Sequence, residues 1–466
     1  MSLLLVLIPI AAVILLNVGF SALMKKMALG IGLLVCLVQI ALVLFNGDIN
    51  IAATLPFLNF EIDRLSLLMM LSGAIVSAAA IIVASSTTND KRRFFNFVNV
   101  TLLCLAGMNG VVMVRDIFSL YVFLEVTAVS SFILIASEKE KDAFEGSFKY
   151  LVMSAVATVM MLSSIGILLM YAGDTSFAAV RDAVQGSSSI YVITATAIFM
   201  AGLFIKAGLV PFHGWLPDAY SSAPSGVSVL LAGIVTKTTG VYTTIRIVSE
   251  IFGFNETLKG ILLVVGIVSI FVGAFAALGQ KDMKRMLAYS SISQVGYIIL
   301  ALGTGTELGI AGAIFHLFNH SIFKSQLFVN AAAVEKQTGT RDMDSLSGLS
   351  NSMPVTGWTS VVGFLSTAGI PPLSGFWSKL IIIIALWKAG LHGYAAAAIL
   401  GSLITLAYFL SMQRRVFFGK TKLAGIKEAG LGLVLPAVLL AIVTLGIGIF
   451  FPFFVNTIIV PISSLF

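Results

Sequence analysis

Apolar runs of about twenty residues follow one another from residue 2 to residue 453, with only short polar connections between them. No other feature limits the fold so strongly. About twenty apolar residues in a helix cross the hydrocarbon core of a bilayer, and within that core every backbone N–H and C=O must be bonded inside the protein. Of the 466 residues 58% are hydrophobic and 11% charged, with mean hydropathy +1.04. Soluble domains carry about 25% charged residues. The reading is an all-α polytopic membrane protein with spans at 2–20, 28–45, 65–85, 94–114, 117–136, 149–171, 190–210, 226–247, 258–278, 286–304, 308–333, 355–389, 394–418 and 431–453. That makes about fourteen crossings and leaves no room for a soluble domain. The twelfth run is too long for one straight crossing and is interrupted at Gly369–Pro372, so a broken helix is expected there. The first run has neither a positive n-region nor a small-residue cleavage site and reads as a retained helix.

Charge sets the expected topology. Alternate connections, beginning with the first and counted with the span ends beside them, hold 18 of the Lys and Arg residues; the other side, counted likewise, holds 6 (Arg64, Arg115, Arg181, Arg246, Lys259 and Lys388) and 4 lie deep within the runs. The positive-inside rule places the richer side in the cytoplasm of a cell membrane and both termini outside. The net charge of +7 is therefore a topological signal and not one for nucleic acid. Residues 48–64 are too polar and too few to cross and are expected to form an extracellular hairpin; 173–189 read as a surface amphipathic helix. His213, Asp218 and Asp282 are expected at the surface.

Cys36 and Cys104 lie in separate runs, whereas iron–sulfur and zinc sites need clustered thiolates. No CxxCH haem motif occurs, and GTGTELG at 303–309 joins two spans, not a strand and a helix. No cofactor, metal site or catalytic redox centre is expected in the chain; any redox chemistry falls to a partner.

The informative residues are the ionisable ones at membrane depth, because a lysine in hydrocarbon costs about 3 kcal/mol on insertion scales. Glu125 sits within SLYVFLEVTAVSSF and must find a cation or take a proton. Lys206 precedes Gly208 and Pro211 near the end of the seventh run; it either snorkels to the interface or is held inside, where burial and a nearby carboxylate pull its charge state in opposite directions. Lys237 lies in GIVTKTTGVYTT, among hydroxyls that carry protons or simply bond to backbone. His316, His320 and Lys324 recur every four residues in HLFNHSIFK, so they share one helix face; packing, metal binding and proton transfer are all open to such a set. Lys379 follows GIPPLSGFWS. A lysine beside a Gly/Pro interruption thus occurs twice, five spans apart. An odd offset gives the two units opposite topology, the pattern of transporters built from inverted halves. Passive ion pairs that hold helices together remain the competing reading.

Four stretches, KAGLVPFHGWLPDAYSSAPSGVSVLLAGIVTK, DMKRMLAYSSISQVGY, HLFNHSIFKSQLF and GIPPLSGFWSKL, resemble the signatures of the antiporter-like membrane subunits. These are the proton-pumping subunits of respiratory complex I, the large subunits of Mrp sodium/proton antiporters, and the matching subunits of membrane-bound hydrogenases. FEIDRLSLL resembles the family's N-terminal hairpin and third helix. The resemblance implies fourteen helices, with spans 4–8 and 9–13 as inverted repeats and helices 7 and 12 broken. It divides the chain into 1–93 (three helices), 94–257 (first repeat), 258–420 (second repeat) and 421–466 (last helix). It makes Glu125 and Lys206 the fifth- and seventh-helix pair, Lys237 the link, His316, His320 and Lys324 the eleventh-helix set, and Lys379 the twelfth-helix terminus. It implies proton translocation, with or without sodium exchange, beside other membrane subunits including related antiporter-like ones. SSAPS at 221–225 leans toward Mrp D-type or hydrogenase-type members; the lysine at 379 fits those and also other complex I paralogues. A stand-alone sodium/proton antiporter is the alternative.

Overall fold

The computed structural model describes residues 2–18, 24–45, 51–55, 58–420, 423 and 425–463. Helices occupy every stretch read as a span. The first half runs α1 (Ser2–Val18), α2 (Met24–Phe45), α3 (Arg64–Thr87), α4 (Lys91–Met113), α5 (Ile117–Ile135), α6 (Lys141–Ala172), α7 (Phe177–Val184), α8 (Ile190–Ala207) and α9 (Trp215–Ser222). Next comes a helical rod of α10 (Ser225–Leu230), π turns at Leu231–Val235 and Lys237–Tyr242, α11 (Thr243–Ile247) and a third π turn at Val248–Phe252. The rest is α12 (Glu256–Leu278), α13 (Met283–Leu302), α14 (Glu307–Thr338), α15 (Pro354–Ala368), α16 (Ser374–Lys388), α17 (His392–Val416), α18 (Leu431–Ile449), and the short α19 (Phe451–Phe454) and α20 (Val460–Ser463).

The expected hairpin is a two-stranded antiparallel sheet, β1 (Ile51–Leu55) on β2 (Leu58–Ile62), with Ile51 opposite Ile62. The expected amphipathic helix is α7, which buries Phe177 and Val180. Asp218 is only half-buried, and it ties helices together through Lys149 at 2.7 Å and Arg285 at 2.5 Å.

Helix boundaries follow local chemistry. Asp63, Asp116 and Asp282 accept the backbone N–H of Ser66, Ser119 and Arg285 and so cap α3, α5 and α13. α6, α8, α14 and α15 stop at glycines with positive φ: Gly173, Gly208, Gly339 and Gly369.

Among the described residues nine helices are long and apolar enough to cross a membrane: α2, α3, α4, α5, α6, α8, α12, α17 and α18. The others depart from that pattern for identifiable reasons. α13 and α14 carry many polar residues, the rod at 225–252 is divided by π turns, and the twelfth stretch is two half-helices, α15 and α16. α14 is buried at every residue from Gly309 to Val334 and forms the axis of the second half. α5 and α6 instead turn exposed apolar stripes outward, including Val122, Val126 and Val129 on α5 and Phe144, Phe148 and Val152 on α6. An integral membrane protein presents such surfaces to lipid or to neighbouring subunits.

Candidate ion-translocation site

The break after α8 creates the first part of the site. Gly208 takes φ +68°, which ends the helix just beyond Lys206 and turns the chain toward α9. Trp215 Nε1 returns to donate to the Ile205 carbonyl at 3.1 Å. A cation in the last turn of a helix is favoured by the helix dipole. Lys206 is held there at 3.2 Å from Glu125 Oε1 and 3.3 Å from Ser154 Oγ, and Thr158 donates its hydroxyl to the same Glu125 oxygen. A cavity of about 10 Å³, room for one water, lies beside Lys206 between Tyr150, Ser154 and Thr239. The snorkelling arrangement is absent: the Lys206 side chain is 5% exposed, while Glu125 on α5 is 30% exposed toward the outer surface of the bundle.

Thr239 belongs to the rod that carries Lys237. The rod crosses α8 where a Cβ on Gly240 would lie 2.3 Å from the Ala207 Cα, so only glycine permits the approach. On its other side the rod meets α14, with Gly233 packed against Ser325. Lys237 is fully buried between the two crossings, and its Nζ donates to the Ala232 carbonyl five residues back, within the first π turn. π turns leave backbone groups partly unbonded and recur at functional sites.

α14 carries the next three groups, all fully buried. The His316 and His320 rings lie nearly parallel, 6.2 Å between centroids. Lys324 donates to the Leu287 carbonyl at 3.2 Å and to Ser290 Oγ, both on α13, and its Nζ lies 5.5 Å from the centre of the Phe409 ring. His316 Nδ1 is 2.9 Å from Ser378 Oγ, and Ser378 immediately precedes Lys379. His316 Nε2 and both ring nitrogens of His320 are buried without a hydrogen-bond partner among the described residues. Buried polar atoms are normally satisfied, so such a cluster marks a place for water or a mobile proton.

Lys379 closes the row at the second break. α15 ends at Gly369 with φ +85°, and Lys379 reaches back from α16 to donate to the Thr367 carbonyl at 2.8 Å. Its ammonium stands 4.4 Å from the centre of the Tyr297 ring, which is 6.0 Å from the His316 ring. Both breaks therefore set a lysine at the C-terminal end of the preceding half-helix. Among the described residues Lys237, Lys324 and Lys379 have no carboxylate partner within 4.0 Å; Lys206 alone of the four has one.

Several participants escaped sequence reading. Ser154, Thr158, Ser290, Tyr297 and Ser378 touch the row, but serine and threonine are common in membrane helices and usually bond to their own backbone. Arg246, counted with the outer-side charges, is 2% exposed and is held by Asp63 at 2.6 and 2.9 Å and by Glu250 at 2.5 Å.

Residues 114–405 match the family described as NADH:quinone oxidoreductase/Mrp antiporter, transmembrane. The chain belongs to that family. This family member is 35% identical to the D-type subunit of the Na(+)/H(+) antiporter of Alkalihalophilus pseudofirmus, over 71% of its own length and 67% of the relative's. It is 33% identical to the N-type subunit of the NADH-quinone oxidoreductase of Desulforudis audaxviator, covering 76% and 73%. Its fold superposes on a chain of the Mrp complex from Dietzia sp. with TM-score 0.90 at 26% identity, covering 97% and 95%. A chain of the membrane-bound sulfane sulfur reductase, an archaeal respiratory membrane complex, gives TM-score 0.90 at 29% identity, covering 99% and 97%. The family member is thus an antiporter-like membrane subunit of the type found in multisubunit complexes.

Proposed function

We propose that this family member moves protons along Glu125, Lys206, Lys237, Lys324, His320, His316 and Lys379, within a cell-membrane complex that contains further antiporter-like subunits. In this reading all fourteen helical stretches span the bilayer, 94–257 and 258–420 are oppositely oriented repeats, and both termini face outward. The observation that carries it is the ion pair of buried Lys206 with half-buried Glu125, followed by a run of buried lysines without acids among the described residues. An unpaired buried lysine is costly and readily gives up its charge, so neighbouring members alternate between ammonium and amine.

The drive is electrostatic. Two unit charges about 4 Å apart at an effective dielectric of about 20 interact by about 4 kcal/mol, enough to decide which of two neighbouring groups holds a proton. Drawing Glu125 away from Lys206 releases its proton toward Lys237. A proton already on Lys237 is repelled toward the histidines, and Lys379 passes one out at the far break. The similarity to subunits of named complexes favours an assembled machine over a stand-alone antiporter. The test is Lys206→Ala in the native complex, read as ion translocation in membrane vesicles. Loss of translocation with normal assembly supports the relay; unchanged translocation removes Lys206 from it.

A further inference from the structure

A crevice of about 790 Å³ opens at the end of the bundle where α9 gives way to α10, α13 begins and α14 ends. Its floor is an ion pair that the row above does not include. Lys284 Nζ, on α13, lies 2.7 Å from Glu335 Oε2, near the end of α14. Ser225 at the start of α10 bridges the two: its hydroxyl donates to Glu335 at 3.1 Å and receives Lys284 at 3.3 Å. The Lys284 side chain is 2% exposed and Glu335 30%, so the carboxylate faces the crevice and the ammonium faces the protein.

Each of the three elements joined here leads to the relay. α10 continues into the rod of Lys237. Along α13, Ser290 lies six residues beyond Lys284, about 9 Å by helical rise and about 120° round the helix, a gap for water to span, and Ser290 is bonded to Lys324. Along α14, Glu335 is eleven residues from Lys324 and falls within about 20° of the same face. The charged groups around the pair are Glu138 after α5, Glu140 and Asp142 at the start of α6, Lys281 and Asp282 before α13, Lys336 on α14, and Arg341 and Asp342 beyond it. Arg341 is 3.6 Å from Glu335 and 3.1 Å from Asp282. Acids outnumber bases on these walls, which raises the local proton concentration at the mouth.

We propose that the Lys284–Glu335 pair is the water-facing gate through which protons reach Lys324. This rests on the relay reading above. A proton from crevice water forms an O–H bond on Glu335 and cancels the attraction that holds Lys284. Lys284 gives its own proton inward, by way of Ser290, to a neutral Lys324. It is then reprotonated from Glu335, which returns to the carboxylate. One proton enters, one moves on, and nothing else is consumed.

The experiment compares Glu335→Gln, Glu335→Asp and Lys206→Ala in the assembled complex, with proton translocation in vesicles measured against the pH on the crevice side and assembly followed by native gel. The expected result is that Glu335→Gln assembles, loses translocation by about tenfold or more and flattens the pH profile, while Glu335→Asp recovers both. A purely structural pair would not move the profile of the fraction that assembles. If Glu335→Gln keeps the wild-type rate and profile while Lys206→Ala abolishes translocation, the gate is overturned and the relay stands. If Lys206→Ala is also silent, both fall. Should Glu335→Gln not assemble, Ser225→Ala takes its place: a several-fold slower rate with a shifted profile supports the gate, and an unchanged profile overturns it.

Discussion

Lys206 Nζ lies 3.2 Å from Glu125 Oε1, yet the two side chains have unlike surroundings, one 5% and the other 30% exposed. Glu125 is the end of the pair that a neighbour can touch from outside the bundle. Replacing it with glutamine keeps the shape and the hydroxyl contact from Thr158 but removes the charge that favours an ammonium at Lys206. Glu125→Gln is expected to assemble and to slow translocation by about tenfold or more, since the Lys206 ammonium then has no close counter-charge. Proton pumping by vesicles checks the rate, and native gels check assembly.

Gly240 sits where the rod crosses α8, and a methyl there would meet the Ala207 backbone at 2.3 and 2.4 Å. Neither backbone can yield without moving Lys206. Gly240→Ala is expected to cost about 1–3 kcal/mol, as overpacking does. Gly260→Ala on α12, where nothing lies within 4 Å, is the control and is expected to be neutral. Thermal unfolding of the two variants in detergent, followed by tryptophan fluorescence, separates them.

The spans were legible because each run of about twenty apolar residues stands out against any background, and the buried lysines because they violate that pattern. The breaks were legible from Gly208 with Pro211 and Gly369 with Pro371, which helices do not accommodate quietly. The ion pairs were not. Arg246 and Asp63 are 183 residues apart, and Lys284 meets Glu335 only because the start of α13 lies beside the end of α14. Both basic residues lie near helix ends, where sequence reading assigns charge to water. Nor did apolar length alone single out α14: its buried face is polar because it packs on protein, not lipid.

Asp63 joins the β-hairpin end to the rod through Arg246 and also holds Arg115 at 3.0 Å. Burial acts to raise its carboxyl, but Arg246 first and then Arg115 and the Ser66 N–H outweigh that and hold it well below the usual carboxylate range. A depressed carboxylate contributes stability that is fully present above its unfolded value of about 3.9 and is lost as pH falls toward the folded value. Thermal stability in detergent is therefore expected to fall as pH drops below about 4, and Asp63→Asn to flatten that acid limb. Asp63→Ala leaves Arg246 buried beside fewer acids and is expected to cost about 3–5 kcal/mol at neutral pH. A pH series of melting curves on the wild type and both variants is the measurement.

Lys379 separates a working row from a structural one. It is 3% exposed and has no carboxylate within 4.0 Å among the described residues; its Nζ meets the Thr367 carbonyl and the Tyr297 ring. If the side chain existed to hold helices together, removing its charge would weaken the protein. A buried cation without a counter-charge instead carries a desolvation cost that a methionine of similar length avoids. Lys379→Met is therefore expected to raise the melting temperature while abolishing translocation, the trade-off seen where activity requires a strained site. Measuring both in one preparation decides the matter: a variant that melts lower and pumps normally assigns Lys379 to the scaffold, and one that melts higher and does not pump assigns it to the proton path.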